Sequence, residues 1–200
     1  MKYFHILFIA SITLLACHKE KIAPGPVDPT NPTPGNTDIP IYQPGDTSMG
    51  AAYAKKLTAD WTARVVCSIH YAFDSNYIAI SFLTYDQGAL KETFNMLYIP
   101  RSGEGKTFAL KKMPGNMLVP GFVSPGYNTW TFGGDVPEDN YYLDTDATDN
   151  FVKIEKIDLV NMRIEGTFTA TFKTDYPQAN KQNPLSVKFS AGKFWAVIQQ

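Results

Sequence analysis

The chain has 200 residues, 14 of them prolines and two of them cysteines, and a formal net charge of −1. Balanced charge with no basic run argues against a nucleic-acid partner. Once the N-terminal segments described next are set aside, about 150 residues remain, enough for one domain with a real core.

Residues 1–16 read as a signal peptide. Lys2 is the positive start, and Tyr3 to Leu15 is apolar apart from His5, Ser11 and Thr13. Such a stretch is too short to span a bilayer, which takes about 20 apolar residues. It ends in Leu14-Leu15-Ala16-Cys17, which resembles the lipobox of bacterial lipoproteins. Leu15 departs mildly from that pattern, where a smaller residue is commoner. The resemblance implies cleavage before Cys17 and acylation of the new N-terminus. Each buried CH₂ contributes about 0.8 kcal/mol, so two or three chains hold firmly where one holds marginally. His18-Lys19-Glu20-Lys21 carry no aspartate at the position that retains some lipoproteins in an inner membrane. The expected location is therefore the outer membrane of a Gram-negative envelope, facing the periplasm or the cell surface.

Residues 17–49 form the lipidated cysteine and a tether. Half of the prolines fall here, from Pro24 to Pro44, with Gly, Thr, Asn and Asp between them. A segment so poor in apolar residues cannot offset its ordering entropy, and it is expected to act as a spacer.

Residues 50–200 carry recurrent period-2 alternation, the signal of half-buried strands. Ala51 to Leu57 is the one stretch that favours a helix. Trp61, Ala63, Val65, Cys67, Ile69, Tyr71 and Phe73 share a face of the first strand. Tyr77 to Tyr85 follows the turn at Asp74-Ser75-Asn76, with Ile78, Ile80 and Phe82 on one side. After Asp86-Gln87-Gly88, Thr93 to Ile99 alternates up to Pro100, and a turn at Gly103 to Gly105 leads to Thr107 to Lys111. Gly115 to Gly126, with two prolines and three glycines, reads as a loop. Asn128 to Phe132 places Trp130 and Phe132 on one face, and Asn140 to Asp144 forms a short strand. Phe151 to Ile157 and Met162 to Phe172 form a hairpin. Ile164, Gly166, Phe168, Ala170 and Phe172 are its inner face. Leu185 to Ile198 is the last strand, with a bulge at Gly192. The fold expected is all-β: a single antiparallel β-sandwich, with a small lipocalin-like closed barrel as the alternative.

Catalytic constellations are thin. With Cys17 acylated, Cys67 is the remaining thiol, so the domain has no disulfide. Cys67 and His70 are three apart on one strand and point to opposite faces, so they cannot pair locally. Cys67 reads as a buried small hydrophobe, His70 as a solvated residue, and no cofactor is implied. Asp144, Asp146 and Asp149 weakly suggest a calcium loop. However, Asp149 stands where an EF-hand needs glycine, and the context is β. Tyr127, Trp130, Tyr141 and Tyr142 lie near acidic and amide residues and are the candidates for stacking on a sugar.

Trp61-Thr62-Ala63, Gly166-Thr167-Phe168 and Gly192-Lys193-Phe194 together resemble a family of small Gram-negative lipoproteins of unknown function. Its members have a lipobox, a polar tether and one β-domain, and the likeness spans most of Trp61 to Phe194. It implies no catalytic residues. The functional expectation is a membrane-anchored, non-enzymatic binding module for a glycan or an envelope protein. A carrier of a small apolar ligand and a structural envelope protein are the alternatives.

Overall fold

The computed structural model describes residues 48–69, 75–112, 122–174 and 177–199. They belong to one compact unit, Ile41–Gln200, separate from Met1–Pro40. The signal peptide, Cys17, most of the tether, His70, Tyr71, Phe73 and much of Gly115 to Gly126 lie outside the described residues.

The described residues form ten strands and no helix. They are β1 (Gly50–Lys56), β2 (Ala59–Ile69), β3 (Tyr77–Asp86), β4 (Ala89–Pro100) and β5 (Thr107–Ala109), then β6 (Ser124–Trp130), β7 (Pro137–Leu143), β8 (Phe151–Asp158), β9 (Arg163–Lys173) and β10 (Ser186–Gln199). All belong to a single sheet. Its pairings run β1–β2–β3–β4–β6–β7–β9–β10 and return to β1, so the ladder closes into a ring. β8 pairs with the other edge of β9, and β5 pairs with β8. The fold is thus all-β, and sandwich and barrel meet in one object: a closed hydrogen-bonded ring around a filled interior.

Alternation dictates what fills it. Val65, Cys67, Ile78, Ile80, Phe82, Phe94, Met96, Ile164, Phe168, Phe172, Phe189 and Phe194 are buried. Phe82 lies 5.0 Å from Phe94 and 5.1 Å from Phe168, and Phe94 lies 5.2 Å from Phe189. Rings from opposite sides of the sheet therefore meet in the centre, at distances where aromatic pairs attract.

Three local expectations need correction. Ala51 to Leu57 is a strand, not a helix. Alanine favours helices by only tenths of a kcal/mol per residue, and here it is overridden by two ladders, to β10 and to β2. β6 starts at Ser124, inside the segment read as a loop, because Leu97, Met96 and Asn95 offer partners to Ser124, Pro125 and Gly126. Trp130 and Phe132 do not share a buried face. Tyr127 and Thr129 point inward on β6, Trp130 points outward, and Phe132 is 82% exposed in the connection that follows.

The two glycine motifs are one device. Gly166 on β9 stands opposite Phe194 on β10, and Phe168 stands opposite Gly192. A Cβ at Gly192 would come within 2.6 Å of the Phe168 ring, and one at Gly166 within 2.8 Å of the Phe194 ring. Each phenylalanine thus lies over the bare backbone of the glycine across from it, which shields that strand from water. Ala191 takes φ +50 and the register shifts between Phe189 and Gly192, the bulge expected from the sequence.

One polar island interrupts the core. The buried Glu92 carboxylate accepts from the Lys56 ammonium, from Trp61 Nε1 at 3.1 Å and from Thr84 Oγ1 at 3.4 Å. A buried charge so surrounded is tolerable; alone it would be strongly destabilising.

Candidate functional site

The proposed sugar-stacking residues split by parity. Tyr127 and Tyr141 point inward and are buried, with ring centroids 5.0 Å apart. Tyr127 also lies 5.6 Å from Phe172 and 5.3 Å from Phe189, so it belongs to the core. Burial, and next the neighbouring Glu92 charge, hold its phenol far above the ordinary value. Tyr141 donates its hydroxyl to Pro184 O at 2.9 Å and thereby ties down the β9–β10 connection. The same connection is held by Asp139, whose carboxylate accepts from Ala179 N and Asn183 Nδ2, both at 2.6 Å. Neither tyrosine is available to a ligand from outside.

Trp130 and Tyr142 do point outward. Trp130 is half-buried and donates Nε1 to Thr93 Oγ1 at 2.8 Å. Tyr142 borders a groove of about 350 Å³ with Asn128, Asn140 and Gly126, but the Lys112 ammonium sits 4.4 Å over its ring. Both side chains are engaged within the protein.

The aspartates of the candidate calcium loop are also engaged. Asp144 and Asp146 each meet Lys173 at 2.9 Å, and Asp149 meets Lys188 at 2.6 Å. Hydrogen bonding to Lys173 and Lys188 holds Asp144 and Asp149 below the usual carboxylate range. Among the described residues no group of three or more His, Cys, Asp or Glu is placed to hold a metal ion. The loop is a set of ion pairs to β9 and β10. Cys67 is buried, and burial pushes its thiol up to about 12, which removes it as a nucleophile.

A different surface brings aromatic and polar groups together. On the outer face of β1, β10 and β9, two cross-strand rows lie side by side: Tyr53–Lys193–Thr167 and Ala51–Trp195–Glu165. Between them and Glu155 of β8 runs a groove of about 260 Å³. Tyr53 is 56% exposed, unusual for a tyrosine in the middle of a paired strand. The Arg163 guanidinium stacks 4.7 Å over the Trp195 ring and donates to Glu165 at 2.8 Å, which fixes the far wall. Lys193 and Glu155 make no ion pair or hydrogen bond with a described side chain.

No protein family, curated protein or solved structure matches this chain. The groove must therefore be read from its own chemistry. Sequence reasoning missed it for a physical reason: its residues come from four strands that only the ring closure makes neighbours. Tyr53 also lay in the segment read as a helix.

Proposed function

We propose that this protein is a lipid-anchored, non-enzymatic binding module of the bacterial envelope that holds a saccharide in the groove between β8 and β1. The observation that carries the reading is the exposed Tyr53 ring beside Lys193, Thr167 and Glu155. A flat ring suits the CH face of a sugar. An ammonium, a hydroxyl and a carboxylate within one groove supply both donors and acceptors for its hydroxyls. Lys193 and Arg163 are offset by Glu155 and Glu165, so the groove favours a neutral, hydroxyl-rich ligand over a polyanion. The lipobox-like Leu14-Leu15-Ala16-Cys17 and the proline-rich tether support the outer membrane as its location, facing the periplasm or the cell surface.

The carrier reading draws less support. Phe82, Phe94, Phe168 and Phe189 meet where a carrier would hold its ligand.

The test is calorimetric titration of the full chain with neutral amino-sugar oligomers of the envelope type. Tyr53→Ala is expected to weaken binding about tenfold, the size of one lost stacking contact. Tyr142→Ala should leave it unchanged. Binding that ignores Tyr53, or no binding at all, overturns the reading.

A further inference from the structure

We propose that the turn between β8 and β9, through Leu159 and Val160, dips into the interfacial layer of the phospholipid bilayer that holds the anchor. The proposal rests on the lipid-anchoring reading above. Val160 is 92% exposed and Leu159 41% exposed, side by side in the chain. Turns usually carry polar residues, and this one presents two aliphatic side chains from a fixed frame. Asp158 Oδ1 accepts from Val160 N at 3.1 Å and Asn161 N at 2.9 Å, and its Oδ2 accepts from Asn161 Nδ2 at 2.8 Å. The tip is thus already ordered before it meets a partner, which lowers the cost of binding.

Its position names the partner. Ile198 N donates to Met162 O at 2.7 Å, at the end of this turn. The adjacent Val197 N donates to Met49 O at 2.8 Å, where the tether enters the domain. The exposed aliphatic pair and the point of entry therefore flank the same stretch of β10. About 30 residues of spacer join that point to Cys17, so the turn shares its end of the ring with the chain's route to the lipid. Lys156 and Arg163 border the turn, paired with Asp158 at 3.9 Å and with Glu165 at 2.8 Å, so the rim of the aliphatic tip is close to neutral. The opposite end of the ring also exposes apolar side chains, Leu57, Phe132, Val136 and Leu185. They lie on the β1–β2, β6–β7 and β9–β10 connections, which alternate with the entry end, so they serve as the internal control.

The experiment uses the full chain carrying its own lipid, reconstituted in phosphatidylethanolamine–phosphatidylglycerol vesicles with brominated acyl chains. An environment-sensitive fluorophore is placed on Val160→Cys, on Leu159→Cys and, separately, on Phe132→Cys. Cys67 does not compete for the label because it is buried. Labels at 160 and 159 are expected to shift blue on vesicles and lose intensity to the bromines, and the label at 132 to do neither. Quenching at 132 alone, or none at 159 and 160 in acylated protein, overturns this proposal and leaves the anchor standing. An intact mass without acyl chains overturns the anchor, and this proposal with it.

Discussion

Gly166 and Gly192 are two positions at which the fold leaves no room for a side chain. Each sits where a single added carbon collides with the phenylalanine facing it. Gly192→Ala is expected to cost about 1–3 kcal/mol in urea unfolding, because the Phe168 ring can yield a little. Gly166→Ala should cost more, since its Cβ would also meet the Lys153 carbonyl, which the β8–β9 ladder holds in place. If both alanines prove neutral, the reciprocal packing is refuted. Cys67 gives a second reading at this scale. A maleimide at pH 8 should leave it unmodified in the folded chain and label it fully in denaturant. The sequence displayed both glycine motifs but not their relation, because the register of β10 against β9 is a long-range pairing that neither strand's own pattern specifies.

Strands with strict alternation were legible. The inward sets Trp61 to Ile69, Ile78 to Phe82 and Ile164 to Phe172 are buried as read. Asp86-Gln87-Gly88 was legible for the same kind of reason. Gln87 and Gly88 take φ +50 and +87, the primed geometry that suits a two-residue hairpin. Where alternation weakens, inference slipped: β1 is rich in small residues, and β6 opens with proline and glycine. The Lys56–Glu92 pair ties β1 to β4 and tests that contact. Lys56→Met strands a buried carboxylate and should cost about 3–5 kcal/mol. Adding Glu92→Gln should recover part of that loss, and thermal melts of the two variants decide it. The Asp158 turn gives the acid counterpart. Hydrogen bonds, first from Asn161, hold its carboxyl below its unfolded value. Its stabilisation is therefore complete above about pH 4 and fades as pH falls through the folded value. Asp158→Asn should be less stable than the parent at pH 7, and the gap should narrow in acid. A gap that stays constant with pH would show that charge plays no part.

At the scale of the whole molecule, ring closure explains why the candidate groove was not legible. Tyr53 and Trp195 are far apart in sequence, and only the β1–β10 ladder makes them neighbours. The proposed anchor, by contrast, rests on a local signal and needs no fold to be read. Cys17→Ala should shift the protein from the membrane pellet to the soluble fraction without changing its melting temperature. Among the described residues, every member of the buried core follows Met49.

The pairing of the first strand with the last has a consequence for biogenesis. β1 gains its β10 partner only after the eight strands between them have been made. Until then the ring cannot close, and loop-closure entropy opposes any early compact state. A polypeptide built this way keeps its last ladder open while it is being made, which suits the secretion we propose for it.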